Sequence, residues 1–101
     1  MTTTVIVQLS LEECCQRVEL PADSIIEIVE YGIVEPEGAA PPEWRFSALQ
    51  LSRLRRASRL QRELELDWQA VALVLDLLSE VEQLKDENHS LRSRLERFLE
   101  L

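Results

Sequence analysis

Residues 21–32 read PADSIIEIVEYG, and this stretch decides the fold. Pro21 and Gly32 punctuate its ends, while Ile25, Ile26, Ile28 and Val29 supply a buried side, so the pattern predicts a helix from Ala22 to Tyr31. Asp23, Glu27 and Glu30 stand at i, i+4 and i+7, which puts them on one stripe of a helix that has no lysine or arginine. A surface of that sign repels phosphate.

Working outward, Ser10 with Glu13 three residues on is a capping box, predicting a helix that opens there and ends near Val18. Glu19-Leu20-Pro21 joins the two helices in a tight turn, which makes a helix-turn-helix candidate. The second helix of such a pair ordinarily reads DNA, and here it carries the wrong charge for that work. The scaffold therefore reads as one turned to protein binding. Before it, Thr4 to Gln8 alternates around Val5 and Val7 as a short edge strand would. After it, Ile33-Val34-Glu35 and Glu43-Trp44-Arg45-Phe46 read as two strands around a loop of Pro36 to Pro42, a small wing.

All four prolines and both glycines lie between residues 21 and 42, so everything after Trp44 is free to be helical. Ser47 caps a third helix running to about Glu65, with Leu54, Ala57, Leu60 and Leu64 on its inner side. Its outer side holds Arg55, Arg59 and Arg62, with Arg56 beside them; a solvated face and a phosphate-contacting face are both open readings. Asp67 caps the last helix, where Trp68, Val71 and Leu75 begin an apolar stripe.

That last helix then changes period. Leu77, Val81, Leu84, Asn88, Leu91, Leu95 and Phe98 follow the alternating 4,3 spacing of a heptad seam, a dimerisation signal with Asn88 at an a position. In a parallel pair Glu80 and Glu87 would face Lys85 and Arg92 of the partner, and an antiparallel pair would bring Glu80 near Arg94, so charge leaves the orientation open. The expected architecture is mainly α: a winged helix-turn-helix over residues 1–66 with short N-terminal and wing strands, and a C-terminal dimerisation helix over 67–101 in the same compact chain.

Charge is unevenly placed. Of a net −8, residues 1–43 hold nine acidic groups against Arg17 alone, while the remaining residues balance ten acidic against ten basic groups. The front half should attract a basic partner and discourage nucleic acid. Met1 to Thr4 lacks the basic start of a signal peptide, and the longest apolar run, Ala70 to Leu75, has six residues, too short for a bilayer. A cytoplasmic protein with no membrane association is the expectation. Cys14 and Cys15 are neighbours that cannot easily bridge each other, and Cys15 shares a helical face with Leu11 and Val18, so both read as small packing residues.

Catalytic material is scarce. The one histidine, His89, takes an outward heptad position far from both cysteines, and Gly32 and Gly38 stand apart from any phosphate-cradling loop. No catalytic residue, metal site or cofactor is expected, and the chain does not read as an enzyme.

The run from Leu9 through Tyr31-Gly32-Ile33-Val34-Glu35-Pro36 and then Trp44-Arg45-Phe46 resembles a MerR-type winged helix-turn-helix. Arg59-Leu60-Gln61-Arg62-Glu63-Leu64-Glu65-Leu66-Asp67-Trp68, with Leu84-Lys85-Asp86-Glu87-Asn88 and Leu91-Arg92-Ser93-Arg94-Leu95, closely resembles the CbpM family of chaperone modulatory proteins, and the likeness covers nearly the whole chain. This resemblance implies binding to the J-domain of a DnaJ-like co-chaperone, CbpA, and inhibition of its action on the DnaK chaperone. J-domains generally present a basic helix, so Asp23, Glu27 and Glu30 are the expected attraction, set against the reading of a merely solvated helix face. Two other functions compete. A MerR-like transcription regulator would place the arginine stripe and wing on phosphates, and a purely structural coiled-coil adaptor would need only the last helix.

Overall fold

Local hydrogen bonding sets where each helix begins. In the computed structural model, which describes residues 7–100, α1 spans Leu11–Val18, α2 Ala22–Glu30, α3 Ala48–Leu64 and α4 Trp68–Leu99. The Glu13 backbone N–H donates to the Ser10 hydroxyl and the Ser10 N–H to the Glu13 carboxylate, both at 3.2 Å, closing the capping box of α1. Ser47 and Gln50 do the same for α3 at 3.1 and 2.8 Å. Asp67 accepts from the Ala70 N–H at 2.8 Å to start α4. Only α2 opens without a side-chain cap; the Ser24 N–H donates to the Pro21 carbonyl at 3.1 Å.

The connections are short because the chain reverses within a residue or two. Glu19 at φ 56° and Glu65 at φ 52° both take the left-handed conformation, ending α1 and α3. Gly32, at φ 75°, follows α2, and the Ile33 N–H reaches back to the Ile28 carbonyl at 3.1 Å. α1 and α2 are thus joined by Glu19–Pro21 alone, the expected helix-turn-helix.

A two-stranded antiparallel ribbon holds this unit to the rest. β1 (Gln8–Leu9) pairs with β2 (Phe46–Ser47) in the register Gln8↔Ser47 and Leu9↔Phe46. Ribbon and helices enclose one core, with Phe46 fully buried among Cys14, Ile25, Ile28, Leu54 and Val71. Fully burying a side chain of this size contributes roughly 1.5–3 kcal/mol. The start of α4 belongs to this core through Val71 and Leu75, and beyond Leu78 its residues lie almost wholly in solvent.

Three expectations are corrected. Ile33-Val34-Glu35 is not a strand: Arg53 donates to the Ile33 carbonyl and Gln50 to the Glu35 carbonyl, so α3 side chains take up the polar groups a ladder would have used. The wing is correspondingly small, a single antiparallel bridge between Glu37 and Arg45 around a 3₁₀ turn at Pro41–Glu43, while Phe46 pairs with Leu9. Leu64, expected on the inner side of α3, is exposed at the last residue of that helix. Both cysteines pack as expected, Cys14 fully buried and Cys15 half-buried against the core beside Leu11. Most of the expected Thr4 to Gln8 strand lies outside the described residues; within them β1 begins at Gln8.

Candidate partner-binding surfaces

The apolar side of α2 is spent on the core through Ile25 and Ile28, which are fully buried. A helix advances 100° per residue, so the side opposite that face must carry positions 23, 27 and 30. Asp23, Glu27 and Glu30 are all exposed there, and among the described residues none forms an ion pair. Half-buried Ile26 borders the stripe on one side and Tyr31, 49% exposed, on the other. The result is an uncompensated negative patch with apolar edges, suited to a basic partner that buries its own apolar groups around the charge contacts.

On α4 the exposed face switches character within one turn. Leu75 is 1% exposed, yet Leu77, Val81, Leu84, Leu91, Leu95 and Phe98 are between 45% and 71% exposed. Asn88 lies exposed within the same line. All seven of these residues therefore fall on one continuous, exposed stripe of a single helix, which is far more apolar surface in one line than a lone surface helix carries.

A third surface was only half visible in the sequence. The arginine stripe of α3 is joined by Arg17 of α1, and a groove of about 680 Å³ between the two helices is lined by Arg17, Arg55, Arg56, Arg59 and Arg62, with Glu19 and Glu63 beside them. The stripe itself was evident from i, i+4 spacing. Arg17 was not, because only the packing of α1 on α3 brings it there; its place beside the buried Cys14 and Val18 was the available signal.

The remaining chemistry-bearing groups stay apart. His89 is exposed on α4, and Cys14 is buried so that its thiol is pushed up to about 11 by desolvation, with Cys15 and Glu13 adding to the shift. Among the described residues no cluster of three or more His, Cys, Asp or Glu could hold a metal ion, and no helix is long and apolar enough to cross a membrane.

Residues 9–93 match the profile of the MerR HTH family regulatory proteins. A protein of Pseudomonas putida (strain GB-1) named "Chaperone modulatory protein CbpM" is 50% identical over 101 residues, 100% of both chains. The same name and the same 50% identity over full length hold for a protein of Pseudomonas entomophila (strain L48). A "Chaperone modulatory protein CbpM" of Coxiella burnetii (strain Dugway 5J108-111) is 40% identical over 90 residues, 89% of this chain and 81% of its own. The chain belongs to the MerR-like helix-turn-helix proteins and, among them, to the CbpM family of chaperone modulatory proteins.

Proposed function

We propose that this protein is an inhibitory modulator that binds the J-domain of a CbpA-type, DnaJ-like co-chaperone and keeps that domain from acting on DnaK. The observation that carries the proposal is the exposed acidic stripe of α2, Asp23, Glu27 and Glu30, free of any cation on its helix and standing where a helix-turn-helix would otherwise face a nucleic acid. A basic J-domain helix seated on that stripe is unavailable to the chaperone. Inhibition then follows from occupancy, with no bond made or broken and no cofactor, and the protein acts as a regulator rather than an enzyme, in the cytoplasm.

In this reading the chain works as a homodimer. Residues 1–66 form the binding unit, and the seam of Leu77, Val81, Leu84, Asn88, Leu91, Leu95 and Phe98 within 67–101 joins two copies, the Asn88 pair restricting register because a mispaired amide loses its hydrogen bonds in an apolar line.

The test is a titration of a purified CbpA J-domain with the wild-type chain and with Asp23→Lys plus Glu27→Lys at low salt. Replacing two attractive contacts by two repulsive ones is expected to weaken binding by at least about tenfold, with the difference shrinking as salt rises. Unchanged affinity at low salt would place the J-domain elsewhere. The arginine groove favours a second reading, a MerR-like transcription regulator holding phosphates there; it predicts that duplex DNA binds with affinity falling steeply with salt, and the α2 charge counts against it.

A further inference from the structure

The groove between α1 and α3 is absorbed neither by the α2 stripe nor by the α4 seam. Glu82 of α4 reaches Arg56 at 3.6 Å and Glu63 reaches Arg59 at 3.5 Å, which leaves Arg17, Arg55 and Arg62 without an ion pair among the described residues. Three uncommitted guanidiniums from two helices around one concavity are a local excess of positive charge on a chain whose net charge is −8. Arg55 and Arg62 stand two helical turns apart, about 10 Å along α3, so the cations are strung along the groove. An occupant with anionic groups at several points engages more of them, and guanidinium forks favour planar carboxylates or phosphates.

One observation chooses between those. The first 43 residues carry a net −8, so a polymer whose charge continues beyond the groove meets repulsion from the rest of that half. A short acidic segment whose charge ends within the groove meets fewer of those groups; of the two carboxylates lining the groove, Glu63 is already paired with Arg59. We propose that the α1–α3 groove docks an acidic segment of a partner protein, whose carboxylates pair with Arg17, Arg55 and Arg62. α2 contributes nothing to this groove, so the chain offers two separate surfaces of opposite sign and holds the acidic segment independently of the basic partner proposed for the α2 stripe.

The experiment is a ¹H–¹⁵N titration of the full chain that follows the arginine Nε–H signals. The probes are a peptide of alternating glutamate and glycine, its glutamine counterpart, and a random-sequence duplex DNA. The glutamate peptide is expected to shift the Arg17, Arg55 and Arg62 signals while the glutamine peptide leaves them in place. Arg55→Glu with Arg62→Glu is expected to weaken peptide binding about tenfold or more and to leave the circular dichroism spectrum unchanged, since both side chains are exposed; Arg55→Gln with Arg62→Gln should give a smaller loss. Absence of shifts with the glutamate peptide, equal shifts with both peptides, or wild-type affinity in the charge-reversed chain would overturn the proposal. So would duplex DNA moving the same signals at lower concentrations than the peptide, which would make the groove a nucleic-acid contact.

Discussion

Replacing Leu84 and Leu91 by glutamate should separate the proposed dimer into folded monomers. In the single chain these side chains are 57% and 63% exposed, so pairing has rather more than half of each left to cover. Full burial of a leucine contributes roughly 1.5–3 kcal/mol, and the uncovered share of it about 1–2 kcal/mol per side chain. Two positions on each of two protomers then account for about 4–7 kcal/mol of association free energy, or about three to five orders of magnitude in Kd. Four glutamates brought to one seam add like-charge repulsion to that loss. Nothing in the globular unit depends on either residue: α4 is anchored by Val71 and Leu75, and glutamate is a good helix former, so helix content should be retained. Sedimentation equilibrium from low to high micromolar concentration reads the outcome directly. A wild-type chain that sediments as a monomer throughout, or a double variant that remains a dimer, would refute the reasoning.

Three further expectations concern the fold that carries the binding surfaces. Gly38→Ala should destabilise more than Gly32→Ala in urea titrations: both sit at positive φ, but a Cβ at Gly38 would lie 2.5 Å from the Glu43 carbonyl oxygen whereas one at Gly32 meets nothing within 4 Å, so a penalty of about 1 kcal/mol at Gly32 becomes about 2–3 kcal/mol at Gly38. Ser47→Ala removes the hydroxyl that accepts from Gln50 and should lower stability by about 1 kcal/mol, read as a shifted urea midpoint with the slope unchanged. Burial pushes the folded Cys14 thiol up to about 11, above its unfolded value, so folding favours the neutral form; the Cys14 contribution to stability is complete below the unfolded pKa and should be lost as pH rises toward 11, an alkaline decline that Cys14→Ala removes.

Features whose cause lies within a few residues could be read along the chain. The capping pairs Ser10 with Glu13 and Ser47 with Gln50 span three positions, and the aspartate cap at Asp67 acts on a neighbouring N–H, so helix starts followed from local hydrogen bonding alone. The grouping of Asp23, Glu27 and Glu30, and the seam from Leu77 to Phe98, followed from helical periodicity for the same reason. Ile33-Val34-Glu35 misled because its apolar residues are buried as a strand's would be, while the partners of its carbonyls come from Arg53 and Gln50, up to twenty residues away.

By itself, then, the order of residues determined the helices, the sign of the α2 face and the apolar line of α4, because backbone geometry repeats at fixed intervals and needs no distant partner. Tertiary structure alone decided that β1 pairs with β2, that Cys14 is the buried thiol, and that Arg17 joins the α3 arginines around one groove. Those three depend on which faces meet when α1 packs against α2 and α3, and the free energy that selects that meeting is spread over the whole core rather than written in any one segment.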